Sequence, residues 1–143
     1  MKYKYFIYVL LPLVAFMTLL SCASDEKKMP TAEVDIANRA FDLSNKIKEA
    51  FLNDNKKMLK NLCSKDLYND LSRDIDSYTG EGIDFTMRWV DIDEEGTIHL
   101  YVSWKKKDKR KTNDENTSGM AVFIIKDKPF IAKKILRENP FSD

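Results

Sequence analysis

Histidine occurs once in this chain and cysteine twice. The usual structural and catalytic zinc sites draw on several His or Cys ligands, so no metal is expected here, and no other cofactor. Glycine is also scarce, four in 143 residues, which argues against the glycine-rich loops that cradle phosphates. Charge of one sign is missing as well: 24 Lys and Arg stand against 23 Asp and Glu. A near-neutral chain is not a polyanion binder on bulk charge, so nucleic acid is not an expected partner. Long apolar runs are absent too. Tyr5–Leu20 is sixteen uncharged residues with Pro12 inside it, short of the about 20 that a membrane-spanning helix needs.

What is present at the N-terminus is a short basic start, Lys2 and Lys4, then the apolar run, then Leu19-Leu20-Ser21-Cys22. A positive start, an apolar middle and small residues at the exit suit a secretory signal. The exit resembles the lipobox of bacterial lipoproteins. That resemblance implies cleavage after Ser21 and acyl chains on Cys22, which becomes the new N-terminus. One chain alone binds a bilayer marginally, whereas several make a lasting anchor. Residues 1–21 then read as signal peptide, 22–31 as a lipidated polar tether and 32–143 as the folded domain. The expected location is the cell envelope, lipid-anchored to a membrane. In a Gram-negative cell, Ala23 after the cysteine implies the periplasmic face of the outer membrane. Lys2 and Lys4 leave with the signal, so 22 basic residues remain against 23 acidic ones, a formal charge of −1. A mature chain of 122 residues makes one domain, and with Cys22 acylated Cys63 reads as a lone buried thiol.

The domain begins with helical periodicity. Val34, Ala37, Ala40, Phe41, Ser44, Ile47, Ala50 and Phe51 recur at three and four, which predicts one amphipathic helix over about 32–52. Asp54 is the expected cap of a short second helix holding Met58, Leu59 and Leu62. Ser64 opens a third, with Leu67, Tyr68, Leu71 and Ile75 on one face. After a turn cluster at 77–82 the period falls to two. Ile83, Phe85, Met87 and Trp89 alternate with polar residues, as do Ile98, Leu100, Val102 and Trp104. Met120–Ile125 reads as a strand buried on both faces, and Phe130–Leu136 as a last strand. The expectation is α+β: a long N-terminal helix and two short helices on one face of a curved antiparallel four-stranded sheet.

This element order, with the closing pattern Gly119-Met120-Ala121-Val122-Phe123-Ile124-Ile125, Lys128-Pro129-Phe130, Ile135-Leu136 and Asn139-Pro140-Phe141, resembles the NTF2-like cone of SnoaL and ketosteroid isomerase relatives. The resemblance implies a sheet wrapped around the first helix, with an apolar pocket at the open end. Such sheets often pair face to face, so the resemblance leaves a homodimer open without fixing the oligomeric state. It implies no activity, because one fold hosts many functions.

Asp91-x-Asp93-x-Glu95-Gly96 mimics the front of a calcium loop. The twelfth position, which should hold a bidentate acid, is Val102. The stretch therefore reads as a solvated turn. For acid–base chemistry the candidates are Asp84 as base with His99 or Tyr101 as donor, although Asp84 shares its face with Thr86 and Arg88, which read as solvated. Lys105, Lys106, Lys107, Lys109, Arg110 and Lys111 put six positive charges in seven positions. They serve either to keep a hairpin soluble or to dock on anionic head groups or an acidic partner. The favoured expectation is a non-catalytic lipoprotein domain binding a small apolar ligand or a protein partner. An isomerase- or hydrolase-type envelope enzyme and an interaction subunit acting through the basic hairpin stand as alternatives, so enzymatic activity is left open.

Overall fold

Three helices and a four-stranded antiparallel sheet follow one another along the chain. The computed structural model describes residues 31–107 and 117–142. The helices are α1 (Thr31–Leu52), α2 (Lys56–Leu62) and α3 (Lys65–Ser77). The strands are β1 (Gly82–Ile92), β2 (Ile98–Lys107), β3 (Ser118–Lys126) and β4 (Ile131–Arg137), paired in the order β1-β2-β3-β4. The fold class is α+β, as the change of period implies.

Each helix boundary has a local cause. Asn55 caps α2, accepting the Met58 N–H on Oδ1 at 3.0 Å. The expected cap, Asp54, instead sits in the left-handed region at φ 50° and makes the turn between helices. Ser64 caps α3 as the sequence suggests, accepting the Leu67 N–H at 3.4 Å. Its own hydroxyl donates to the Lys133 carbonyl at 3.0 Å, and its N–H donates to Ala132 O at 2.7 Å. Cys63 pairs in parallel with Ala132 beside it. The joint between α2 and α3 is thus stitched to β4, which covers part of that strand's free edge.

The helix stripe packs on the sheet through Ala40, Leu43, Ile47, Ala50 and Phe51, all buried. Ser44 lies on the same face, fully buried, and satisfies its hydroxyl by donating to the Phe41 carbonyl at 2.7 Å. Val34 departs from the stripe expected of it and is 40% exposed. Burial on α1 begins only at Ala37, so the first turn runs ahead of the surface available to cover it. Across the interface lie Leu100, Val102 and Trp104 of β2 and Ala121, Phe123 and Ile125 of β3, all buried.

The space between α1 and the sheet is filled by aromatic rings. Phe141 packs 4.6 Å from Phe51 and 6.1 Å from Phe85, and Phe85 lies 5.7 Å from Phe123, centroid to centroid. Asn139 holds Phe141 in place. Its Oδ1 accepts the Phe141 N–H at 3.1 Å and its amide donates to Asp74 of α3 at 3.3 Å. Among the described residues the contiguous core cluster runs from Ala40 to Phe141, with Ala37 buried just ahead of it.

Candidate functional site: the uncovered face of the sheet

Strand alternation places Ile83, Phe85 and Met87 of β1 toward the helices. The register then slips between Met87 and Trp89. Met87 sits opposite Val102, whereas Trp89 sits opposite Tyr101. A β-bulge of one residue, Arg88, sends every later side chain of β1 to the other face. Trp89 therefore does not join Ile83, Phe85 and Met87 in the core, as the unbroken alternation suggested. It is 50% exposed on the face that no helix covers among the described residues.

That face carries an apolar row across all four strands. Trp89, Tyr101, Val122 and Leu136 are register partners in sequence. Trp89 stacks on Tyr101 at 4.3 Å with planes 19° apart. Val122 is only 4% exposed, shielded by its neighbours, and Leu136 at the far edge is 37% exposed. At strand spacings of about 4.8 Å the row is roughly 14 Å long. The expectation that β3 is buried on both faces is met at Val122 without a second layer, and Ile124 remains half-exposed.

Cations flank the row. Arg88 donates from Nε to the Ser103 hydroxyl at 3.0 Å. The Arg137 guanidinium lies 5.9 Å from the Tyr101 ring centre. Lys105 and Lys134 belong to the same face by register. Asp84 is there too, bound to Lys107 at 2.8 Å. Glu138 accepts the Met120 N–H at 2.9 Å. Asp84, Arg88, Lys105, Arg137 and Glu138 line an open groove of about 730 Å³ beside the row. A second groove of about 550 Å³ lies at the base of the β2–β3 hairpin, where Trp104 is tied by its Nε1–H to Glu138 O at 3.1 Å.

The residues singled out for acid–base chemistry fall along this same face but not together. Asp84 is opposite Lys105 and His99 is opposite Asp91. Lys105 and His99 are six positions apart on β2, about 20 Å at strand rise. Tyr101 lies between them, with its ring taken up by Trp89. His99 Nε2 is 3.4 Å from Asp93 Oδ2. Asp93 organises the β1–β2 turn, its Oδ1 accepting N–H groups from Thr97 at 2.8 Å and Glu95 at 3.0 Å. Those bonds, led by Thr97, hold its carboxyl below the ordinary carboxylate range. The calcium-like stretch is thus a hydrogen-bonded turn. Among the described residues no group of three or more His, Cys, Asp or Glu is placed to hold a metal ion.

Cys63 is buried, and desolvation pushes its thiol up to about 12, so it is not a nucleophile at neutral pH. Of the basic run, Lys105, Lys106 and Lys107 end β2. Lys106 Nζ donates to Ser142 O and lies 5.4 Å from the Tyr78 ring. Lys109, Arg110 and Lys111 lie outside the described residues, as does Cys22. Among the described residues no helix is long and apolar enough to cross a membrane.

Sequence reasoning missed the apolar row because Arg88 hides the bulge. The available signal was the row's membership: Tyr101 and Leu136 each interrupt a polar set, and Val122 stands between Met120 and Ile124 on the same face. Comparison of the chain with protein-family models, with curated proteins and with solved structures returns no match.

Proposed function

We propose that this protein is a lipid-anchored, non-catalytic binding domain of the cell envelope whose working surface is the uncovered face of its sheet. The observation that carries the binding reading is the contrast between the two faces. Phe51, Phe85, Phe123 and Phe141 fill the space where an enzyme or carrier of this shape would hold a small ligand. A half-exposed Trp89 and an exposed Leu136 lie on the other side. Large apolar side chains held in a continuous row beside polar groups mark interaction sites. The anchor rests on Lys2, Lys4, the run to Leu20 and the Ser21-Cys22 exit. A long helix, two short ones and an antiparallel meander support an NTF2-like relationship.

The test combines mass spectrometry of the mature N-terminus with membrane fractionation. Wild-type protein is expected to begin at an acylated Cys22 and sediment with membranes, and Cys22→Ser is expected to abolish the modification. A mature wild-type protein with an unmodified Cys22 would overturn the anchor. Trp89→Ala should leave acylation intact and remove binding.

A further inference from the structure

We infer that the partner of the uncovered sheet face is the anionic surface of a bilayer, against which Trp89 and Leu136 insert while the flanking cations meet head groups. The inference deepens the proposed function and rests on that face being the working one.

Two independent features point to lipid. The first is composition by position. The face presents Arg88, Lys105, Lys107, Lys134 and Arg137 against Asp84, Asp91 and Glu138. Asp84 is already neutralised by Lys107 at 2.8 Å, and Glu138 is engaged by a backbone N–H. Over these eight groups the charge is +2, although the chain from Cys22 onward carries −1. Cationic surface around an exposed Trp–Tyr pair suits the bilayer interface, where amphipathic rings sit at head-group depth and lysine and arginine attract anionic lipid.

The second feature is reach. Nine residue steps separate Cys22 from Thr31, the start of α1. Fully extended they span at most about 32 Å. Acyl chains on Cys22 would therefore hold the domain close to the bilayer at a high effective concentration, and a weak face would suffice.

The test uses residues 23–143, which carry the whole core and lack the acylation site. The probes are vesicles of equal phosphatidylglycerol and phosphatidylcholine, and vesicles of phosphatidylcholine alone. Two tryptophans separate the signals, since Trp104 is buried and Trp89 is half exposed. The expected result is partition onto the anionic vesicles, with a blue shift of emission and quenching by brominated acyl chains. Both should vanish in Trp89→Phe while Trp104 emission stays unchanged. Binding should weaken several-fold between about 0.05 and 0.5 M salt, as screening requires. Arg88→Glu with Lys134→Glu, on the face but away from the hairpin, should lower partition at least about five-fold per residue. Thermal unfolding of each variant checks that it is folded.

Absence of partition onto anionic vesicles would overturn the inference. So would binding that survives these substitutions but disappears when Lys109, Arg110 and Lys111 are neutralised, which would assign the contact to the hairpin. A Trp89 blue shift that grows with protein concentration in the absence of lipid would also overturn it, by naming a second copy of the chain as the occupant. Failure of the anchor reads differently: an unmodified Cys22 in the full chain leaves the vesicle result as measured.

Discussion

Trp89 stacks face to face on Tyr101, 4.3 Å between ring centres, because one extra residue in β1 turns the tryptophan away from the core. A stacked cross-strand aromatic pair contributes about 0.5–1.5 kcal/mol beyond the area it covers. Trp89→Ala loses that amount together with the covered half of the indole surface, an expected cost of about 1–3 kcal/mol. Urea unfolding measures the loss, and iodide quenching should drop sharply once the exposed indole is gone.

Phe141 is the opposite case. It is fully buried among Phe51 and Phe85, and removing a core phenylalanine costs about 3–5 kcal/mol in transfer and cavity terms. Phe141→Ala should move the urea midpoint far down or leave the domain unfolded, whereas Phe141→Leu should be tolerated with a modest loss. Equal stability of Phe141→Ala and wild type would show that the ring does not close the core.

Ser64 serves two elements at once, capping α3 and donating to the Lys133 carbonyl of β4. Loss of a cap costs about 1 kcal/mol, and the solvent-exposed hydrogen bond to the Lys133 carbonyl adds at most a similar amount. Ser64→Ala should cost up to about 2 kcal/mol, and Ser64→Asp less, since the carboxylate keeps the cap. Amide exchange near Ala132 should quicken in Ser64→Ala.

Cys63 gives a pH dependence with a definite sign. Its thiol ionises at about 12 when folded against 9.0 for the ordinary group, because burial disfavours the thiolate. Between those values the unfolded chain has lost the proton and the native one has kept it, so stability falls as pH rises above about 9. Cys63→Ala should remove that part of the alkaline slope. Alkylation at pH 8 should proceed only in denaturant.

Asp93 behaves in the reverse sense. Its carboxyl is held below the ordinary 3.8, first by the Thr97 N–H. The stability it lends is present above that value and lost as pH falls through the lowered one. Asp93→Asn keeps an oxygen acceptor for the turn and should flatten the acid limb of the stability profile. Asp93→Ala should loosen the β1–β2 turn at every pH.

The helices and the strand alternation were legible because each has one uninterrupted period and a capping residue such as Ser64. Two features were not. Apolar and polar residues alternate without a break as far as Trp89, and the only local mark of the bulge is the change of phase at Trp89-Val90, after which Val90 and Ile92 take over the inward positions, so pairing with β2 decides which face Trp89 takes. Phe141 lies beyond the last strand, and its role depends on Phe51, 90 positions earlier, a contact that no local pattern encodes. The candidate site shares this cause. Its row exists only once four strands are in register.

The Phe51–Phe141 contact also sets an order of events. The first helix of the domain cannot complete its packing until the segment after the last strand arrives. Closing so long a loop is entropically costly and slows folding. A chain that emerges from its N-terminus cannot form the Phe51–Phe141 contact until its last residues are free, so the core closes at the end of the chain rather than at its beginning.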